Sequence, residues 1–405
     1  MDTAAILGFD PSDPAFRADP YPRYPAPGGL SRTPAGLWVT SSYAACEHVL
    51  RSPAFGHRTP DGQSWRSGAQ GRTPSFLIMD PPDHTRLRRL VSKAFTPRLV
   101  ERLEPRVAAL VDELLAATGP EFDVIQALAY PLPVIVISEL LGVPPQDRER
   151  FKSWSDALAR GLDPDFLLPE HEIVQREQAR LEFAAYFREL AALRRAEPRD
   201  DLLSALVAVS DDGDALSEPE LLATCVLLLV AGHETTVNLI GNGTLALLRD
   251  PEQLAWFRDN PDAAGAVVEE LLRYDPPVQL TLRTAVTDTE LDGVPLPAGS
   301  MMLLLVGAAN RDPAAFERPG TLDLTRYAEG SAAPRHLSFG HGIHYCLGAP
   351  LARLEGRLAL RALAQRDLTL AADALTYRDN LVLRGLSALP VRVNDTAAQE
   401  HVIPA

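Results

Sequence analysis

The stretch that decides the fold is FGHGIHYCLG, residues 339–348. Its glycines are spaced around Cys346 and keep the backbone bare, so that a large flat group can approach the sulfur closely. Cys346 also stands just before a predicted helix from Leu347 to about Gln365. The N–H groups and the positive dipole end of that first turn favour an anionic sulfur. We therefore predict that Cys346 is a metal-binding thiolate.

Two other interpretations of the cysteines lead to different chemistry. A lone cysteine is usually a small buried apolar residue, which is what we expect for Cys46 and Cys225. A zinc site needs several cysteine or histidine ligands, and no second cysteine lies near Cys346. The odd number and wide separation of the cysteines do not suit a disulfide framework.

Composition excludes several classes of protein. The chain has 405 residues, of which 46% are hydrophobic, and 39 basic against 54 acidic residues give a formal net charge of -15. This charge argues against nucleic acid as a main partner. The strongly apolar run from Leu221 to Ala231 is short of the ~20 residues that cross a bilayer. Met1–Asp10 lacks the pattern of a secretory signal, so we expect a cytoplasmic protein with no membrane contact.

Hydrophobic periodicity predicts a mainly α protein with a minor β part. After a Pro- and Gly-rich start of extended chain and turns, a helix is expected to Arg51, followed by a loop over Phe55–Ser75. Further helices are predicted over 83–95, 97–117, 125–141, 146–160, 171–195, 217–248, 251–260 and 261–274. Short strands are predicted at 37–40, 279–285 and 301–307, with more before Val393.

The longest predicted helix carries Ala231-Gly232-His233-Glu234-Thr235-Thr236 in an apolar run. An acid and an alcohol buried at a helix centre are costly without partners. One interpretation is that the threonine hydroxyl only bonds back to the carbonyl four residues earlier. The other is that Gly232 lets the helix open beside a ligand while Glu234 and Thr235 relay protons. His233 faces elsewhere and is not predicted to be a ligand.

Two more motifs lie on predicted helices. Glu270 and Arg273 are three residues apart, so that they can pair on one helical face. His84 and Arg88 are one turn apart and share a face. Each pattern alone also suits an ordinary solvated helix.

Taken in order along nearly the whole chain, these motifs resemble those of the cytochrome P450 family, especially its bacterial soluble members. The resemblance implies the cytochrome P450 fold, a large helical body around a buried haem b whose iron is bound by Cys346. It implies a structural group formed by Glu270, Arg273 and Arg326. The residues that it implies for haem binding are His84, Arg88, Arg283, His344, Phe339, Gly340 and Gly348.

The expected organisation is a single domain over 1–405. Its parts would be an N-terminal β-containing part with a substrate loop (1–80), a helical body (81–275), and a part with short strands, the haem-binding loop and the last helix (276–405).

The resemblance implies a monooxygenase that inserts one oxygen atom of O2 into a hydrophobic small molecule of specialised metabolism. Thr235 and Glu234 would supply protons. The substrate contacts that it implies are Leu228, Ala231, Gly232, Gln279, Leu280, Thr281 and Leu386. Oxidation without oxygen insertion, such as phenol coupling or desaturation, and a non-catalytic haem sensor are the alternatives.

Electrons would come from a ferredoxin and an NAD(P)H-dependent ferredoxin reductase. An acidic partner of this kind would dock on a basic patch by electrostatic steering. The residues predicted for that patch are Arg86, Arg89, Lys93, Arg353 and Arg357.

Overall fold

The computed structural model describes residues 3–25, 28–59, 75–211 and 213–394. Helices dominate these residues. Their bounds are α1 Thr3–Leu7, α2 Pro14–Ala18, α3 Tyr43–Arg51, α4 Asp83–Ala94, α5 Pro97–Ala116, α6 Pro131–Leu140, α7 Arg148–Ala159, α8 Glu170–Ala196, α9 Leu202–Ala208, α10 Glu218–Arg249, α11 Pro251–Asp259, α12 Ala264–Tyr274, α13 Val306–Ala309 and α14 Ala349–Ala364.

The strands form one larger sheet and three small ones. Their bounds are β1 Leu30–Arg32, β2 Trp38–Thr40, β3 Phe55–Gly56, β4 Glu121–Asp123, β5 Ser210–Asp211, β6 Asp214–Ala215, β7 Thr281–Ala285, β8 Thr289–Leu291, β9 Val294–Leu296, β10 Met301–Leu304, β11 Leu368–Leu370 and β12 Pro390–Val393. The larger sheet has the order β1-β2-β10-β7-β3, in which only the β10–β2 pairing is parallel. β11, β12 and β4 form a second sheet, and β5–β6 and β8–β9 are hairpins.

Helix α10 is the central element of the main core and packs against α6, α7, α8, α12 and α14. Its start has a chemical cause, since Ser217 and Glu220 form a capping box in which the Ser217 N–H donates to Glu220 Oε2 at 2.9 Å. Its length and composition would suit a membrane span, but 67% of its apolar window is buried inside the fold. α10 therefore has the character of a core helix.

The mainly α prediction is confirmed, with local corrections. One continuous helix over Ile125–Leu141 is wrong: a π turn at Ile125–Ala129 precedes α6, because Pro131 has no N–H to continue the helical bonding. The Pro- and Gly-rich start is not only extended chain, because Asp13 and Pro14 begin α2, where Asp13 accepts from the Ala15 N–H. α9 was not predicted. Most of the predicted loop, residues 60–74, lies outside the described residues.

Candidate active site

The cysteine loop, residues 335–346, turns tightly before α14. The Cys346 N–H donates to the Phe339 carbonyl at 2.9 Å, and Gly342–His344 form one 3₁₀ turn. Gly342 has a positive φ of 68°, and a Cβ on it would lie 2.6 Å from the Leu50 carbonyl oxygen. Only glycine fits this turn, which passes against the end of α3.

Opposing effects act on the pKa of the Cys346 thiol. Burial raises the pKa of the thiol, while the N–H groups of Gly348 and Ala349 and the charges of Arg88 and Arg353 oppose that shift. These groups stabilise a thiolate. At Gly348 a Cβ would come within 4.0 Å of the Cys346 sulfur, so the missing side chain leaves the sulfur uncrowded on that side.

Four side chains form a cationic cluster beside the loop: His84, Arg88, Arg283 and His344. The His84 and His344 rings lie 4.1 Å apart, and the Arg88 guanidinium donates to the Tyr345 carbonyl. Arg283 donates to Thr281 Oγ1 at 3.1 Å and to the Leu282 carbonyl at 2.8 Å. Neither guanidinium forms an ion pair with a carboxylate in the part of the chain that the structure describes.

The cluster carries the electrostatic signature of an anion site. Burial, followed by the charges of Arg283, His84 and Arg88, lowers the pKa of His344 to about 3. Burial also lowers the pKa of Arg283 to about 10. His84 is 1% exposed, and both its ring nitrogens lack hydrogen-bond partners among the described residues. An anionic group with several acceptor oxygens would satisfy these donors.

A second group of charged residues ties α12 to the loop that precedes the cysteine. Glu270 and Arg273 are fully buried and form two hydrogen bonds of 2.7 Å each, while Arg326 Nε lies 3.1 Å from Glu270 Oε2. Arg273 also donates to the carbonyls of Asn310, Pro319 and Thr321. The structure thus brings the three predicted residues together, with both guanidiniums on the single carboxylate of Glu270.

On α10, an accessible stripe interrupts an otherwise buried helix. Ala231 is exposed and Gly232 and Thr235 are partly exposed, whereas their neighbours His233, Glu234 and Thr236 are buried. Thr235 Oγ1 donates back to the Ala231 carbonyl at 2.7 Å. The hydroxyl thus makes the bond to the carbonyl four residues earlier. It also faces open space, where its oxygen can accept a hydrogen bond from a further donor.

Glu234 faces away from this stripe and is 2% exposed. Arg378 Nη1 lies 2.5 Å from Glu234 Oε2. Burial raises the pKa of Glu234, and the charge of Arg378 partly opposes the shift. Sequence analysis missed Arg378, because it lies 144 residues from Glu234 in a segment without a motif.

His233 is buried beside Glu234 and is held by α7. Its Nδ1 lies 2.7 Å from Ser155 Oγ, and its ring packs edge-on against Tyr130 with centroids 4.5 Å apart. The exposed carboxylate of Asp156 completes a group in which ligand atoms of Asp156, His233 and Glu234 lie within 4.8 Å of one another. This group connects buried Glu234 with the protein surface.

Comparison with known proteins identifies the family. The sequence profile of the family described as Cytochrome P450 matches residues 30–264 and 263–366. A cytochrome P450 monooxygenase, PikC of Streptomyces venezuelae, is 44% identical over 401 residues, which cover 93% of this chain and 92% of the relative. The vitamin D(3) 25-hydroxylase of Pseudonocardia autotrophica is 43% identical over 401 residues, which cover 95% and 96%. The chain belongs to the cytochrome P450 family.

A solved structure agrees with this assignment. The ligand-free CYP164A2 of Mycobacterium smegmatis has a TM-score of 0.84 and 48% identity, covering 94% of this chain and 98% of that one. The protein is a P450 monooxygenase, and its cofactor is haem with a cysteine thiolate on the iron. The cationic cluster and the uncrowded Cys346 fit this group, because haem carries two propionates and a flat ring.

The predicted substrate contacts fall into two sets. Leu280 and Thr281 line a cleft of about 950 Å³, together with residues of β1–β2, the 163–165 segment and β10, and Ala231 and Gly232 reach the accessible stripe of α10. Gln279 is instead part of the scaffold of this P450: it is 3% exposed, and its amide bonds to the Pro276 carbonyl at 2.8 Å and the Tyr24 hydroxyl at 3.1 Å.

Leu228 and Leu386 are likewise buried in the main core. Leu228, which is 9% exposed, lies one turn before Ala231 and Gly232 on the same face of α10 and borders the accessible stripe, whereas Leu386 is 1% exposed.

Proposed function

We propose that this P450 inserts one oxygen atom of O2 into a C–H or C=C bond of a hydrophobic small molecule of specialised metabolism. The observation that carries the proposal is the middle of α10, where an accessible alcohol, Thr235, adjoins a buried acid, Glu234. The haem, bound through its thiolate, supplies the reductive activation of O2. The macrolide-type and vitamin D names of some relatives support a bulky apolar substrate.

In this proposal the two side chains have different tasks. Thr235 Oγ1, which faces the open side of α10, holds an ordered water and passes a proton to the distal side of the site. Glu234 receives protons from solvent through the group that ends at exposed Asp156. Because the pKa of Glu234 is raised, it lies closer to neutral pH, where a carboxyl group can both bind and release a proton.

Apolar surroundings determine which substrates enter. The cleft beside Thr281 is lined mainly by apolar side chains such as Ile78, Leu158 and Leu381. Such a lining favours a substrate with a large apolar area, and the charged side chains that share the cleft, among them Arg32, Asp163 and Arg176, offer polar contacts.

The test is an optical titration of the ferric protein with terpenoids, macrolides, fatty acids and small aromatic acids. A low- to high-spin shift with one class identifies the ligand class, because the ligand then displaces the water on the iron. Turnover under isotopically labelled O2 follows with that ligand. Label in the product supports oxygen insertion, whereas an oxidised product without label would replace the proposal with the oxidase alternative.

We also propose a ferredoxin and an NAD(P)H-dependent reductase as the electron source, for a cytoplasmic protein.

The predicted basic patch has less net positive charge than its residues suggest. Arg86 is paired with Asp214 and Glu220, Arg353 with Glu269, and Arg357 with Glu104. Because these pairs cancel much of the charge, we expect the rate of ferredoxin reduction to fall only modestly with added salt. A steep salt dependence in stopped-flow reduction would contradict this expectation.

A further inference from the structure

An ion pair beside the cysteine loop has no part in the chemistry described above. Arg353 of α14 and Glu269 of α12 meet through two parallel hydrogen bonds, Nε to Oε1 at 2.6 Å and Nη2 to Oε2 at 2.9 Å. This planar, two-pronged geometry fixes the orientation of both side chains. The pair is partly buried, with side-chain exposures of 31% and 21%.

The ion pair holds the cysteine loop near both of its ends. Near the start of the loop, His336 Nε2 lies 3.2 Å from Glu269 Oε2. Near its end, Arg353 Nη1 donates to the Tyr345 hydroxyl at 3.1 Å. The Arg353 guanidinium also lies 4.6 Å from the centre of the Phe339 ring. His336, Phe339 and Tyr345, which lie at or beside the Phe339–Cys346 hydrogen bond, thus all contact the Arg353–Glu269 ion pair.

The two charges act differently on the sulfur. The charge of Arg353 reaches Cys346 and favours its thiolate. Glu269 is ionised at neutral pH, because hydrogen bonds from Arg353 and His336 outweigh burial and hold its pKa at about 2. A nearby positive charge stabilises a metal site that gains an electron, and a negative charge opposes it. Glu269 therefore offsets the effect of Arg353.

We propose that Glu269 is a positioning residue that fixes the cysteine loop through Arg353 and His336, and that its negative charge lowers the reduction potential of the iron bound at Cys346. In this P450 the pair sets how readily the iron accepts its first electron. Arg353 then serves the cysteine loop and is not a free cation for a docking partner.

The test is the reduction potential of the substrate-free holoenzyme, measured by spectroelectrochemistry. Glu269→Gln removes the negative charge and should raise the potential, whereas Arg353→Gln removes the positive charge and should lower it. We expect each change to alter the ferrous-to-ferric ratio at a fixed potential roughly three- to tenfold. The double variant should return close to the original value. A merely structural pair would shift both single variants in the same direction, and that result, or no shift, would overturn the proposal.

Two further variants separate charge from geometry. Glu104→Gln breaks the more exposed pair between Glu104 of α5 and Arg357 of α14, whose atoms lie 2.8 Å apart, and should leave the potential unchanged. Arg353→Lys keeps the charge but loses the two-pronged contact. It should keep the original potential while the thiolate signature of the reduced carbon-monoxide complex decays faster. If Arg353→Lys shifts the potential as far as Arg353→Gln, geometry and not charge is responsible, and the electrostatic part of the proposal is wrong.

Discussion

The Glu270–Arg273–Arg326 group and the surroundings of helix α10 treat buried polar atoms in opposite ways. Beside the cysteine loop, Glu270, Arg273 and Arg326 are buried with their charges paired and bonded to backbone carbonyls. On and against α10, polar atoms of His233, Asn238, Asn242 and Glu355 are buried without hydrogen-bond partners among the described residues. The Glu270 group is built as a fixed support, whereas the surroundings of α10, like His84 beside the cysteine loop, keep unused hydrogen-bonding capacity.

The difference has a physical meaning. An unsatisfied buried polar group costs about 1–3 kcal/mol, so a fold retains one where water, a ligand or a mobile proton completes it. A paired buried charge network instead resists change, because the removal of one partner leaves the other charge unpaired. We expect variants of the Glu270 group to lose the cofactor or the fold, and variants at the accessible stripe of α10 to retain both and lose chemistry.

The largest effect is expected at Cys346. Cys346→Ser should abolish turnover and the thiolate signature of the reduced carbon-monoxide spectrum, because the serine oxygen does not replace the electron-donating sulfur. Cys225→Ala is the matched control: this cysteine is fully buried in the main core, so the variant should keep the spectrum and lose only about 1–2 kcal/mol of unfolding free energy. A normal thiolate spectrum in Cys346→Ser would refute our assignment of the iron ligand.

The next largest effect is expected at the buried Glu270–Arg273 pair. Glu270→Gln leaves the fully buried Arg273 without its countercharge and should reduce the free energy of unfolding by about 3–5 kcal/mol, with loss of haem on purification. Chemical denaturation and the haem-to-protein absorbance ratio measure both. Arg357→Gln, which breaks the partly exposed pair between α14 and Glu104 of α5, should cost less than about 1 kcal/mol. If the two variants cost the same, the contrast between buried and exposed pairs does not hold.

Local sequence patterns predict much of the cysteine loop and the Glu270 group but little of what surrounds Glu234. Cys346, Glu270 and Arg273 belong to short motifs whose spacing reflects a helix or a tight turn, so one sequence reveals them. The Glu234–Arg378 pair joins residues 144 positions apart, and the Ser155–His233 contact joins two helices. Only the packing of α7 and the 376–387 segment against α10 brings these residues together.

The same limit explains the errors. Gln279 has the polarity of a substrate contact, yet tertiary packing against Tyr24 and Gly307 uses its amide within the scaffold. The basic patch looks positive in sequence because its partners, such as Glu104 and Glu269, lie on other helices. Composition and periodicity give the helices, but which charges cancel depends on how the helices pack.

A smaller effect is expected at Thr235, where chemistry should change without loss of the fold. Thr235→Ala removes the hydroxyl that faces the accessible stripe and should lower product formed per NAD(P)H consumed roughly 10- to 100-fold, with release of peroxide. Thr244→Ala is a close control, because Thr244 Oγ1 makes the same bond to the carbonyl four residues earlier, at 2.7 Å, in a buried part of α10. Equal coupling in both variants would mean that the Thr235 hydroxyl serves only the helix.

The last effect is absent at acidic pH and appears only as the pH rises: stability should depend on the protonation of Glu355, which packs against α10. Burial raises the pKa of Glu355 to about 8, and a hydrogen bond from Thr236 only partly opposes this shift. The folded protein therefore keeps a proton that the unfolded chain releases above its ordinary pKa, so the stabilisation is present at acidic pH and is lost as the pH rises through 8.

Glu355→Gln replaces the carboxyl group with an amide that does not ionise. It should match the parent protein near pH 5 and exceed its unfolding free energy by on the order of 3 kcal/mol at pH 8. Denaturation across this range measures the difference, and Glu121→Gln, at an exposed ion pair, should leave the slope unchanged. A parent protein that is equally stable at both pH values would show that Glu355 is ionised and satisfied, and that the α10 side of the site is completed by its own residues after all.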